Sequence, residues 1–279
     1  MKNFLAIFDG YNLSKSTFEY ALLLAKKSGS RLTGVFLDAF FYHNYNLTKV
    51  LKVSSEPEKD MKELNEKDQL QRDESVHQFQ RLCEEAKIEY AVHRDNSLAL
   101  VELQYESIFA DLIIINECEK FTWHDDQKPT NFIKELLADV QCPVVVSPNT
   151  FKAPEKIVLL YDGSPSSIYA IKMFNYLFTD WRDLPIEILS VNEGNIENGY
   201  LPGTILMTDF ISRHFPNSNY KLLHGNADEK ILAYLTESGK NDFIVLGAYR
   251  RSKFSRWFKP SLADVLMNNL NVPLFIAHH

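Results

Sequence analysis

The sequence predicts an α/β protein made of two tandem domains, each a doubly wound, five-stranded parallel sheet. Three features of the 279 residues support this fold class. The second half repeats the first, short apolar runs alternate with longer segments of helical period, and a polar segment with two prolines separates the halves. We therefore expect two separate cores, each formed by βα units.

The internal repeat is visible without gaps over its best-matched segments. FLAIFDG at 4–10 returns as IVLLYDG at 157–163, and residues 93–116 return as 224–247. The polar segment SPNTFKAPEK lies at 147–156 and contains both prolines. We predict domains at 1–149 and 155–279, because proline and polar residues are typical of domain boundaries.

Apolar runs of strand length predict five strands in each half. They lie near 3–8, 32–37, 88–93, 111–115 and 143–147, and near 157–162, 186–191, 219–224, 242–246 and 272–277. Ser164 followed by Pro165 is typical of a helix start. In a doubly wound sheet, ligands bind beyond the carboxyl ends of the strands. We expect a site in the loops after the first, second and fourth strands of each half.

Composition limits the function classes. The formal net charge of −7 argues against a general nucleic-acid binder, which needs a basic face. No stretch of eighteen apolar residues or signal peptide is present, so we expect a cytoplasmic protein without a membrane partner. The three cysteines form no CxxC pair, and neither a metal signature nor a Ser-His-Asp order is present.

The chain has an ordered set of motifs, namely a strand ending in Asp-Gly-Ser, a His-Gly-Asn turn, a strand ending in Leu-Gly, a basic loop, a Ser-led helix and a final strand led by proline. This ordered set resembles that of the universal stress protein family. The second half matches the family more closely, keeping Asp162, Gly163, Ser164, Gly225, Gly247 and Ser261. The resemblance covers nearly the whole chain, once per half. It implies a fold like that of adenine nucleotide alpha hydrolases, with strand order 3-2-1-4-5, and a stress-response role.

Family members that bind ATP carry a loop of the form G-x2-G-x9-G-[S/T] after the fourth strand. In the second half, Gly247 takes the first position and Ser261 the last, but Arg250 and Pro260 replace the other glycines. Proline has no N–H to offer a phosphate, whereas an arginine side chain can bind phosphate or fill its space. The first half has Asn116, Glu119, Pro129 and Thr130 at these positions. Because Glu117 and Glu119 oppose a phosphate, we expect that copy to hold no nucleotide.

The resemblance implies a site for ATP with magnesium in the second half, with no strong catalytic activity and at most slow ATP hydrolysis. Its predicted residues are Asp162, Gly163, Ser164, Val191, Gly247, Arg250 and Ser261. Asp162 is either a contact to the nucleoside or a carboxylate that caps loop N–H groups, and for Asp9 we favour the cap. Val191 is either a backbone contact to adenine or an ordinary strand residue. The basic run 250–259 suits an anion-binding loop or a solvated surface.

Two features of the first half have structural interpretations. An insertion at about 40–69 opens with FFYHNY and is either a lid over a ligand or an extended helix that packs aromatic residues on the other copy, which we favour. His93 and its counterpart His224 have no ligand spacing, so we interpret both as structural.

The family's dimer contact predicts that the two copies pair through their last strands, 144–146 with 274–276. Further association into a homodimer is left open. The competing function is a nucleotide-free binding or scaffold module, whose cleft takes another anion, a small molecule or a partner protein. The altered positions Arg250 and Pro260 motivate that alternative.

Overall fold

The computed structural model describes residues 1–37, 57–95, 99–119, 128–179, 181–194, 204–238, 241–247 and 261–278. The chain packs as two compact units, Met1–Val140 and Gln141–His279. The predicted domain limits, 1–149 and 155–279, follow the sequence repeat and stay a prediction. Within the described residues, no helix is long and apolar enough to cross a membrane.

The first unit is a parallel sheet in the order β3-β2-β1-β4. Every residue of β4 and all but the first of β1 and β2 are buried, as expected for strands covered on both faces. Its elements are β1 (Asn3–Phe8), α1 (Lys15–Ser28), β2 (Arg31–Leu37), α2 (Pro57–Glu85), β3 (Tyr90–Asp95), α3 (Ala99–Glu106), β4 (Leu112–Asn116) and α4 (Asn131–Asp139).

The second unit has the sheet order β5-β10-β9-β6-β7-β8. Its elements are β5 (Val144–Ser147), β6 (Lys156–Leu160), α5 (Pro165–Leu177), β7 (Ile186–Asn192), α6 (Thr204–His214), β8 (Asn219–His224), α7 (Ala227–Ser238), β9 (Asp242–Gly247), α8 (Leu262–Asn269) and β10 (Leu274–Ala277). All ten predicted strands are present, with limits close to those predicted. The doubly wound fold class is confirmed, and the second repeat shows the predicted order 3-2-1-4-5 in full.

The predicted pairing of the two last strands is also confirmed. β5 lies antiparallel to β10, with Val144 opposite Ile276 and Val146 opposite Leu274. All residues of both strands are buried. β5 thus belongs to the first sequence repeat but completes the sheet of the second unit, and it covers the edge that β10 would otherwise expose.

Phe79 is the largest buried side chain that packs helix α2 on the first sheet. The ring of Phe79 is fully buried and lies 5.9 Å from Phe8, 5.8 Å from Phe18 and 5.8 Å from Phe36 between centroids. A Cβ at Gly34 would lie 2.8 Å from the Cζ atom of Phe79, so the strand needs glycine there. Because α2 begins at Pro57, residues 57–69 of the insertion are helical, as expected. The aromatic start of the insertion lies outside the described residues, and its packing on the other copy stays a prediction.

In the second unit, Phe174 of α5 performs the equivalent packing. Its ring lies 5.9 Å from Phe243 of β9 and 5.7 Å from Phe275 of β10. The start of α5 follows the predicted pattern, with Ser164 as N-cap and proline in the first turn. This packing holds the first turn of α5 beside the carboxyl ends of β6 and β9.

We expect Phe79→Ala to lower the free energy of unfolding of the first unit by about 3–5 kcal/mol, because it removes a buried ring from the aromatic core. Leu70→Ala is the control on the same helix. Leu70 is 69% exposed, so its loss should change stability by less than about 0.5 kcal/mol. Urea unfolding, with amide hydrogen exchange to locate the first unit, measures both. Equal effects of the two substitutions would contradict the packing described.

Candidate functional site

A tight turn joins β6 to α5 at the carboxyl edge of the second sheet. Gly163 has a φ of 79°, and Asp162 Oδ1 accepts a hydrogen bond of 2.8 Å from the Ser164 N–H. Ser164 Oγ in turn accepts from the N–H of Ser167 at 3.2 Å. The structure therefore brings three predicted site residues into one turn, and Asp162 serves it as a capping carboxylate.

The second carboxylate oxygen of Asp162 faces no donor in the described part of the chain. Asp162 is exposed, and its only hydrogen bond there uses Oδ1. A single carboxylate can accept from the loop with one oxygen and from a ligand hydroxyl with the other. The capping and ligand-binding interpretations of this residue are therefore compatible.

Gly247 ends β9 directly against the first turn of α5. A Cβ at this position would lie 2.4 Å from the backbone C and O atoms of Ser166, closer than any side chain allows. The helix start thus requires glycine at 247 whether or not a ligand binds. Ser166 Oγ lies in the same contact, buried and without a hydrogen-bond partner in the described residues.

Val191 lies where β7 continues past the end of β6. The last paired residues are Leu160 and Leu189, and the Tyr161 N–H donates to the Leu189 carbonyl at 3.0 Å. Because backbone direction alternates along a strand, the N–H and C=O of Val191 point to the same side as those of Leu189. They face the space beyond β6, next to the turn at Asp162, and Val191 itself is half-buried.

Ser261 begins α8 in a capping box. Its Oγ accepts from the Asp264 N–H at 3.2 Å, and the Asp264 carboxylate accepts from the Ser261 N–H at 2.8 Å. A carboxylate thus already occupies an N–H that a phosphate would use, and it places negative charge at the positive end of the helix. Sequence reasoning missed Asp264, although a serine followed three residues later by an acid is a known helix-start signal.

The other predicted members of the site cannot be placed. Arg250, Pro260 and the rest of the basic run lie outside the described residues. Within the described part, the structure brings together the turn at 162–164 and Gly247, with Val191 on the next strand. Ser261 lies at the start of the helix that leads from β9 to β10.

The corresponding loop of the first unit is three residues longer and is closed by α2. Its helix N-cap is Ser14, and Asp9 Oδ1 accepts from the N–H groups of Tyr11 at 2.9 Å and Asn12 at 2.7 Å. The hydroxyl of Ser75 on α2 donates to the Tyr11 carbonyl at 2.8 Å. Asp9 thus caps this loop, and helix α2 is hydrogen-bonded to the same loop through Ser75.

Carboxylates also occupy the phosphate-loop position of the first unit. Glu117 is buried and forms an ion pair with Lys128. The backbone carbonyl of Glu119 accepts from the Thr130 hydroxyl at 2.6 Å. Glu119 is only partly buried as a residue, but its carboxyl end is enclosed, and this burial together with the negative charge of Asp9 raises its pKa to about 8.

His93 pairs with an acidic side chain of the next helix, while the structural role of His224 stays a prediction. His93 Nδ1 lies 3.1 Å from a carboxylate oxygen of Glu106 on α3, a pairing that sequence spacing did not suggest. Across the described residues, no group of three or more His, Cys, Asp or Glu side chains could hold a metal ion.

Comparison with known proteins supports the fold. No protein-family model matches the chain. A universal stress protein from Synechocystis is 24% identical over 146 residues, and the match spans 51% of this chain and 49% of that protein. The crystal structure of a universal stress protein from Archaeoglobus fulgidus covers 99% of this chain and 96% of its own, with 15% identity and a TM-score of 0.68. A functionally unknown protein from Pseudomonas aeruginosa covers 99% and 92%, with 14% identity and a TM-score of 0.56.

The raised pKa of Glu119 predicts a pH dependence of stability. The folded value of about 8 exceeds the ordinary value of 4.5, so between them the folded chain holds a proton that the unfolded chain releases. The free energy of unfolding should therefore fall as the pH rises from about 5 to about 8, then level off. Urea unfolding of the first unit across this range measures the slope.

Glu119→Gln should remove that slope, because glutamine does not titrate. Glu66→Gln, at an exposed position on α2, is the control and should leave the slope unchanged. A slope that persists in Glu119→Gln would mean that other groups cause it.

Proposed function

We propose that this chain, which has the fold of the universal stress proteins over its full length, is a cytoplasmic stress-response protein that binds one ATP with magnesium. The site lies in the second unit, and the protein has no strong catalytic activity. One observation carries the proposal: the turn at 162–164 opens beside the backbone of Val191, at the carboxyl edge of the sheet. The three cysteines form no disulfide, which suits a reducing compartment.

The position of this turn favours a nucleotide. β6 and β9 are neighbours, and right-handed crossovers carry their following helices to opposite faces of the sheet. Such a switch point leaves a crevice beyond the strand ends, where dinucleotides and mononucleotides bind in other doubly wound sheets. The first turn of α5 adds N–H groups and a positive dipole end to the crevice.

Each part of the nucleotide has a matching group. The N–H and C=O of Val191 offer a donor and an acceptor to the edge of adenine, and the open oxygen of Asp162 accepts from a ribose hydroxyl. The phosphates would lie toward the start of α8, near the Ser261 hydroxyl, with the Arg250 guanidinium as a counter-charge. Gly163 keeps the turn compact, because its positive φ favours glycine.

The first unit lacks these conditions. Its longer loop is bonded to α2 through Ser75, and Glu117 and Glu119 occupy the place of the phosphate loop. A phosphate there would lie against the buried carboxylate of Glu117, which already forms an ion pair with Lys128, so it would have to displace that pair or bear the repulsion of Glu117. The enclosed carboxyl of Glu119 holds its proton at neutral pH and adds no repulsion there. We propose that this copy has a structural role and holds no nucleotide.

Calorimetric titration of ATP with magnesium into the full chain tests the proposal. Saturable binding at one site per chain is expected, and Asp162→Ala should abolish it by removing both the turn cap and the ribose contact. Asp9→Ala is the matched control in the other repeat, and it should leave the affinity unchanged. Loss of binding in Asp9→Ala alone would move the site to the first unit.

The alternative function is a nucleotide-free binding or scaffold module. It is favoured by the Ser261 N–H, which Asp264 already occupies, and by Gly247, whose absent side chain serves the contact with α5. Under this alternative, no heat and no thermal shift appear up to millimolar ATP. Other anions or partner proteins would then be the ligands of the crevice.

Under the nucleotide proposal, Asp264→Asn should strengthen ATP binding by about two- to fivefold, because it removes a negative charge from the N-terminus of α8 and keeps a capping oxygen. Asp228→Asn is the control, since Asp228 lies in the first turn of α7. Calorimetric titration of ATP with magnesium into both variants measures the two affinities for comparison with that of the unchanged chain. Weaker binding in Asp264→Asn would contradict a phosphate position at the start of α8.

A further inference from the structure

An exposed apolar surface lies on α3 and the turn that follows it. Val101, Tyr105, Ile108 and Phe109 are 58%, 60%, 58% and 69% exposed, and we call these four residues the α3 stripe. Their spacing of four, three and one places them on one side of a helix. Large apolar side chains in such a group mark interaction surfaces more often than scattered ones do.

The stripe is held in place by the rest of α3. The rings of Tyr105 and Phe109 form an edge contact with 5.6 Å between centroids. The opposite side of the helix is buried through Leu103 and Ser107. Helical hydrogen bonding continues past the helix, since the Ile108 N–H donates to the Tyr105 carbonyl at 3.2 Å. The aromatic pair is therefore positioned before any partner arrives, which reduces the entropy lost on binding.

The second repeat shows that the fold does not require this stripe. Residues 93–116 align without a gap to 224–247, so each position has a counterpart in the same fold. The counterparts of Val101, Tyr105, Ile108 and Phe109 are Leu232, Thr236, Gly239 and Lys240. The second repeat thus has a hydroxyl, a glycine and a lysine at three of the four aligned sequence positions. The aromatic residues are specific to the first repeat.

The charge around the stripe indicates the chemistry of its partner. From 96 through 111, the segment that contains the stripe, the chain has no Lys or Arg and three acidic residues. Glu102 lies one helical turn from Tyr105, and the exposed Asp111 follows Phe109 closely in the chain. A second copy of this chain, with its net charge of −7, would bring like charges together at this surface.

We propose that the α3 stripe is a docking surface for an amphipathic segment of another protein. The apolar side chains of that segment cover Tyr105 and Phe109, and its Lys or Arg side chains lie over the carboxylates of Glu102 and Asp111. Aromatic side chains at the centre of such a contact contribute most of the affinity, and the charges select the partner. This role is independent of nucleotide binding in the second unit.

Fluorescence anisotropy on the full chain tests the proposal with two labelled peptides of equal length. One peptide consists of leucine and lysine (Leu/Lys), and the other consists of leucine and glutamate (Leu/Glu). The Leu/Lys peptide should bind saturably, and the Leu/Glu peptide should not. Tyr105→Thr with Phe109→Lys, the residues of the other repeat, should weaken binding by about tenfold or more. Tyr105→Thr alone should give a smaller loss in the same direction.

Ile205→Thr with Leu206→Lys is the matched control. These residues are 86% and 77% exposed on α6, and the chemical change is the same, so the affinity should not change. Equal binding of both peptides, absence of binding, or an affinity unchanged in the Tyr105 and Phe109 variants would overturn the proposal. Analytical ultracentrifugation of the chain alone gives a further test. A dimer that the double variant Tyr105→Thr with Phe109→Lys dissociates would also overturn the proposal, because the occupant of the stripe would then be a second copy.

Discussion

Burial of a parallel sheet on both faces is the constraint on which the rest of this structure depends. Apolar strands such as β4 and β6 are stable only when helices cover both sides, and right-handed crossovers decide which helix covers which face. In the second unit, the helices that follow β6 and β9 cover opposite faces of the sheet. The topological switch point beside Asp162 and Gly247 follows from that arrangement, so the place of the candidate site is a property of the fold, while its chemistry depends on the loops.

The two repeats show how loops alone change such a site. In the second unit, a two-residue step from Asp162 to the helix cap brings α5 so close to β9 that only glycine fits at 247. In the first unit, a longer step to Ser14 moves the helix start away, and Asn116 stands in the place of that glycine. The longer loop offers its Tyr11 carbonyl to α2 instead. The second unit thus joins its first strand to the next helix by a short turn, while the first unit uses its longer loop for contacts with α2.

Much of the fold could be predicted because the signals were local or repeated. Strand positions follow from apolar runs, the start of α5 from Ser164 and Pro165, and the pairing of β5 with β10 from the family resemblance. The contacts of the site are different in kind. The approach of Ser166 to Gly247 and of Ser75 to Tyr11 joins distant parts of the chain, and no periodicity encodes it. The capping box at Ser261 is a local signal as well, because an acid follows the serine three residues later.

The proposed nucleotide site lies at the strand ends of the second unit. Amide hydrogen exchange of the full chain, with and without ATP and magnesium, locates such a site, because exchange reports each segment separately. ATP should slow exchange in segments containing Ser164 and Val191 and leave the segment around Tyr11 unchanged. Slower exchange only around Tyr11, or no change in any segment at saturating ATP, would contradict this proposal.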